Sequence, residues 1–63
     1  MGIANEPAHM FFTTQELAAR YRVSIRTIEG WRQRGIGPKW IKIGGYVRYH
    51  LTALANFEQV TGF

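Results

Sequence analysis

A chain of 63 residues without cysteine leaves room for one small domain and excludes both a disulfide framework and a thiolate metal site, so apolar packing must hold the fold. No apolar run reaches the length of a membrane span and the N-terminus lacks a secretory pattern, which predicts a soluble chain inside the cell. The net charge is +4, and all 8 basic residues lie between Arg20 and Arg48, where Glu29 is the only acid. A basic segment inside an ordered domain points to a polyanionic partner, with a solvated basic face as the alternative on charge alone.

Residues 1–10 have no periodicity and contain Asn5 and Pro7; they read as a flexible N-terminal arm ahead of a folded domain over residues 11–63. Thr13 and Glu16 have capping-box spacing, and Phe12 is placed to staple onto Leu17. Leu17, Ala18 and Tyr21 then form the apolar stripe of a first helix ending near Arg22, with Glu16 and Arg20 spaced for a surface ion pair. Ser24 caps a second helix, Val23 packs onto Ile28 across the cap, and Ile28 and Trp31 supply the buried side. Gly35 stops this helix after Arg32-Gln33-Arg34, and Gly37-Pro38 prevents its resumption.

Residues Lys39 to Tyr49 read as a β-hairpin, with Trp40 assigned to the core and stacking against the DNA backbone as the alternative. A three-residue loop, Gly44 to Tyr46, pairs Ile43 with Val47 and Ile41 with Tyr49, so that all four share one face and Lys42 lies opposite Arg48 on the other. Leu51, Leu54 and Phe57 predict a third amphipathic helix under the hairpin, fraying near Thr61-Gly62. The expected fold class is mostly α with a small β-hairpin: a winged helix-turn-helix of three helices plus a two-stranded wing.

Two short helices joined by about three residues, the second one capped, form the helix-turn-helix pattern. The stretch Gln15 to Trp31 resembles a helix-turn-helix core, with Ala18 at the small position and Val23, Ile28 and Trp31 at the apolar ones. Arg22 stands where glycine is usual; a left-handed backbone costs a non-glycine residue about 1 kcal/mol, so a differently built turn is expected. Val23 to Phe57 resembles the winged-helix domains of the MerR and excisionase group. The resemblance rests on the Val-Ser-x-Arg-Thr-Ile opening, the Trp-Arg-x-x-Gly helix end, the Lys-x-Gly-Gly-x-Val-Arg-Tyr wing and the helix that follows.

A recognition helix enters the major groove by its N-terminal half. With Ile28 and Trp31 inward, Arg26, Thr27 and Gly30 face outward, and Arg26 suits a bidentate contact to guanine. Ser24 and Thr27 suit a phosphate near the helix start, and Arg34 with Arg32 extends the basic edge. Gly30 suits close approach to DNA, tight packing of helix against hairpin being the alternative. In the wing, Lys42 and Arg48 as cross-strand neighbours suit a shared phosphate, and Gly44-Gly45 makes a slim tip for the minor groove.

His9 and His50 stand alone and no nucleophile–base pair or metal cluster is visible, so neither catalysis nor a cofactor is expected. The expected partner is double-stranded DNA, with no membrane and no small-molecule effector. The resemblance implies an excisionase (a recombination directionality factor of a bacteriophage or mobile element) that binds and bends DNA beside an attachment site in the bacterial cytoplasm or nucleoid. It also implies an integrase and further copies on the DNA as partners. The chain stops at Phe63, where a MerR-type dimerisation helix would begin, so a monomer is expected in free solution. A minimal MerR-like transcription regulator is the alternative. A protein-interaction module with Trp40, Tyr46 and Phe63 as exposed anchors is a third reading.

Overall fold

The computed structural model describes residues 10–63; the arm expected over residues 1–10 lies outside the described residues except for Met10, and His9 lies outside with it. Strand β1 (Phe11–Phe12) leads into helices α1 (Thr14–Tyr21) and α2 (Ile25–Arg34), then strands β2 (Ile41–Ile43) and β3 (Tyr46–His50) and helix α3 (Leu51–Thr61). Three helices and an antiparallel hairpin form the winged helix-turn-helix arrangement. Among the described residues no helix is long and apolar enough to cross a membrane.

The local capping signals operate as their chemistry dictates. Thr13 Oγ1 accepts the Glu16 N–H at 3.0 Å, and the Glu16 carboxylate accepts the Thr13 N–H at 2.9 Å, closing a capping box. Ser24 Oγ accepts the Thr27 N–H at 3.0 Å at the start of α2. Arg22 adopts the left-handed conformation, φ 59° and ψ 44°, and the Val23 N–H reaches the Ala18 carbonyl at 3.0 Å. The turn is therefore built as with glycine, contrary to the expectation, and arginine carries a strain of about 1 kcal/mol. Gly35 at φ 71° ends α2 in the same way, with the Ile36 N–H on the Trp31 carbonyl at 2.9 Å.

Leu17, Ala18, Tyr21, Ile28, Tyr49 and Leu54 are buried together, and Phe12, Val23, Trp31, Val47 and Phe57 pack around them. The sheet has order β1-β3-β2: Phe12 pairs with Tyr49 and Phe11 with His50, so a third strand joins the expected hairpin. Two residues are too few for a period-2 pattern to announce a strand. Trp40 is not in the core but 41% exposed, with the Arg32 guanidinium over its ring at 6.0 Å. Phe63 is half-exposed, yet its ring lies 4.7 Å from that of Tyr21, beside Trp31 and Phe57, so it belongs to an aromatic cluster and is not a free anchor. The end of α3 is closed, since Gly62 at φ 76° donates to the Glu58 carbonyl at 2.9 Å.

Arg20 pairs with Glu58, at 2.6 and 3.0 Å, and not with Glu16, whose carboxylate is engaged in the cap. The Tyr21 hydroxyl donates to the same Glu58 carboxylate at 2.7 Å, joining α1 to α3. The Arg20 and Tyr21 donors hold the Glu58 carboxyl below its usual 4.5, while burial and then Glu58 push the Tyr21 phenol up from its usual 10.0. A depressed carboxyl stabilises the fold above its unfolded value and loses that contribution as pH falls through the folded value; a raised phenol stabilises below its unfolded value and is lost as pH rises. Thermal melts across pH are expected to show a plateau that declines below about pH 4.5 and above about pH 10. Glu58→Gln should lower the plateau and shrink the acid decline; an acid limb unchanged in this variant would rule out Glu58 as its source.

Candidate nucleic-acid interface

Helix α2 buries Ile28 completely and leaves Ile25, Arg26, Glu29, Gln33 and Arg34 exposed. Helical spacing places Arg26, Gly30, Gln33 and Arg34 along one outward face. A Cβ on Gly30 would meet only Arg34 Nη2, at 3.9 Å, so no part of the hairpin requires a glycine there and the tight-packing alternative fails. The missing side chain leaves the middle of this face bare. Arg34 folds back along it, its Nε donating to the Gly30 carbonyl at 3.3 Å.

Ser24 and Thr27 hydroxyls lie 2.9 Å apart, and Ser24 Oγ also serves the cap. One hydroxyl proton is used between them, which leaves the other for an outside acceptor. Gln33 and Glu29 are exposed members of the α2 surface that the sequence reading passed over. Their spacing of seven and three residues from Arg26 was the available signal. Their chemistry is that of base edges: an amide matches adenine and a carboxylate accepts from the cytosine amino group.

The wing differs from expectation. Its loop has two residues, Gly44 at φ 59° and Gly45 at φ 88°, and the pairs are Ile43 with Tyr46, Lys42 with Val47 and Ile41 with Arg48. Two successive positive φ angles match a tight hairpin turn with the strands' own twist, and a Gly-Gly pair adopts it without steric cost. This turn chemistry outweighs the apolar alternation. Ile41, Ile43, Tyr46 and Arg48 share the outer face, and Ile41 and Ile43 are about half exposed at 49% and 47%. Lys42 lies on the opposite face beside Val47, so Lys42 and Arg48 are not cross-strand neighbours and do not converge on one phosphate through that pairing. Arg48 Nη1 donates to the Val47 carbonyl at 2.7 Å, and its guanidinium sits 5.5 Å from the Tyr46 ring centre, which lays it along the wing.

Arg32 also departs from the expected basic edge. It is half-buried, and its Nη1 donates to Thr14 Oγ1 and to the Tyr49 hydroxyl, both at 3.0 Å, tying α1, α2 and β3 together. Arg26 and Arg34 on α2 and Lys42 and Arg48 on the wing take no part in an ion pair, Arg20 with Glu58 being the pair found among the described residues. The surface formed by α2 and the wing therefore carries an excess of positive charge, with Glu29 as the acid of α2. Residues 11–59 match the model of a family described as a helix-turn-helix domain. No curated protein matches the chain.

Proposed function

The chain belongs to the helix-turn-helix domain family, and on that premise we propose that it binds double-stranded DNA as an excisionase, bending the duplex beside an attachment site to steer an integrase toward excision. Helix α2 enters the major groove, Arg26 reads a base edge, and the wing grips the neighbouring backbone. The role is binding, not catalysis. The single observation that carries the DNA reading is the set of unpaired cations, Arg26, Arg34, Lys42 and Arg48, displayed on α2 and the wing. The excisionase role draws support from the resemblance of Val23 to Phe57 and from a family that includes excisionase-like DNA-binding proteins.

One recognition helix with one wing covers a short site and gives limited specificity, so the function requires repeated half-sites filled by adjacent copies, or one copy beside an integrase. Copies gripping phosphates along one side of the duplex deform it between them. A permuted-site gel shift measures the bend, and a recombination assay with an integrase and its attachment sites measures excision against integration. Bending on direct repeats with stimulated excision is the expected outcome. A stable dimer on an isolated palindrome without effect on excision would assign the chain to transcription regulation instead.

Arg26→Ala is expected to cost about 1–3 kcal/mol on the preferred duplex and to relax preference at one base pair. Competition between the preferred site and its single-base variants checks this. Equal weakening on every duplex would make Arg26 a phosphate contact and rotate α2 relative to the groove.

A further inference from the structure

Between α2 and the wing lies an open cleft of about 500 Å³, lined by Thr14 and Gln15 from α1, Ile25 and Arg32 from α2, and Tyr46 and Arg48 from β3. Two arginines and no acidic residue are among the residues that line it. Arg32 is half-buried, and its protein hydrogen bonds go to two neutral hydroxyls through Nη1 alone, which leaves Nε and Nη2 to donate elsewhere. Arg48 likewise spends Nη1 on a backbone carbonyl and keeps the remainder of its fork. A cation drawn partly out of water with neutral partners only is an unfavourable arrangement until an anion completes it. Planar guanidinium forks match the oxygens of a phosphate in pairs.

We propose that this cleft is the seat of a DNA backbone phosphate, held between Arg32 and Arg48. This assignment rests on the DNA-binding reading and adds to it a specific place and a specific pair of ligands. A helix in the major groove and a wing reaching the adjoining minor groove have the intervening phosphate strand between them, and the cleft opens where those two elements meet the start of α1. Arg32 is thereby a phosphate ligand anchored from behind by Thr14 and Tyr49, so its fork arrives pre-oriented. The seat also fixes the spacing between α2 and the wing when DNA is bound.

The test uses the tightest duplex recovered from a random-sequence library, resynthesised with a single uncharged methylphosphonate at successive backbone positions. Wild-type protein is expected to lose binding about tenfold or more at one or two adjacent positions between the grooves that α2 and the wing occupy. Arg48→Gln should bind the unmodified duplex more weakly and lose its sensitivity at those positions while keeping it elsewhere. Arg32→Lys, with folding verified by thermal melting, should show the same local loss in part, since charge remains but the fork does not. Unchanged sensitivity in Arg48→Gln, or no sensitive position between the grooves, overturns the seat while leaving DNA binding intact. Failure of the wild-type protein to bind any unmodified duplex overturns the DNA reading itself and the seat with it. Saturable binding of inorganic phosphate at micromolar concentration without DNA, abolished by Arg48→Gln, overturns the seat in favour of a small-anion site.

Discussion

Raising the salt concentration from about 50 to about 200 mM is expected to weaken duplex binding roughly a hundredfold. Each neutralised phosphate contributes about 0.9 to the slope of log affinity against log salt. Arg34, Lys42 and Arg48 are exposed or partly exposed on α2 and the wing, and Arg32 lines the cleft between them. About four contacts give a slope near −3.6, and a fourfold rise in salt then lowers affinity by about two orders of magnitude. Anisotropy titrations of a labelled duplex over a salt series measure the slope. A random duplex should give nearly the same slope, because phosphate contacts carry no sequence information. Arg48→Gln should flatten the slope by about one. Affinity indifferent to salt would remove the phosphate contacts and, with them, the reading of this surface.

Gly37→Ala is expected to destabilise the fold by about 2–4 kcal/mol, more than an alanine at any other glycine among the described residues. Gly37 has φ 83°, and a Cβ there would lie 2.9 Å from Trp31 Cε3 and 3.3 Å from Trp31 Cβ. Neither atom is the free end of a flexible side chain. The Trp31 ring is packed against Tyr21 and Phe57 at centroid distances of 6.1 and 5.6 Å, so it has little room to yield. Backbone strain adds about 1 kcal/mol to the collision. For a domain of this size each kcal/mol moves Tm by about 4–8 °C, so the midpoint should fall by more than about 10 °C. Gly44→Ala is the matched control: φ is 59° there but nothing lies within 4 Å, so strain alone should cost about 1 kcal/mol. Equal losses at the two positions would remove the Trp31 contact as the cause.

Features governed by neighbours in sequence were legible before the structure. Thr13 with Glu16, Ser24 with Thr27 and Gly35 after Arg34 are each complete within a few residues, and the structure realises all three as caps. The apolar stripe of α1 was equally readable, because its helical spacing selects one face. The wing register was not. Pairing Ile41 and Ile43 with Tyr49 and Val47 assumed that every apolar strand residue seeks the core, but β2 is an edge strand whose isoleucines face outward while the Gly-Gly turn sets the pairing. Arg32 and Arg20 were misplaced for a different reason. The partners of Arg32 are Thr14 and Tyr49, and that of Arg20 is Glu58, 38 residues away in sequence. Local spacing carries no information about such contacts. On the candidate surface, the exposure of Arg26 and Arg34 along one face of α2 was legible from the helical spacing, whereas the cleft depends on how three separate elements meet.

Strand β3 has a mechanical consequence. It extends five residues, roughly 17 Å, from the wing tip at Tyr46 to His50. No loop separates it from α3, because His50 Nδ1 accepts the Thr52 N–H at 3.1 Å and caps that helix directly. Near its far end, Tyr49 is fastened to Phe12 immediately ahead of α1. The strand is thus a lever with Phe12 as its fulcrum. A load applied at the glycine tip is delivered to the first turn of α3 and to the threshold of α1, so whatever deflects the wing shifts the helices together and does not leave a slack flap to absorb the force.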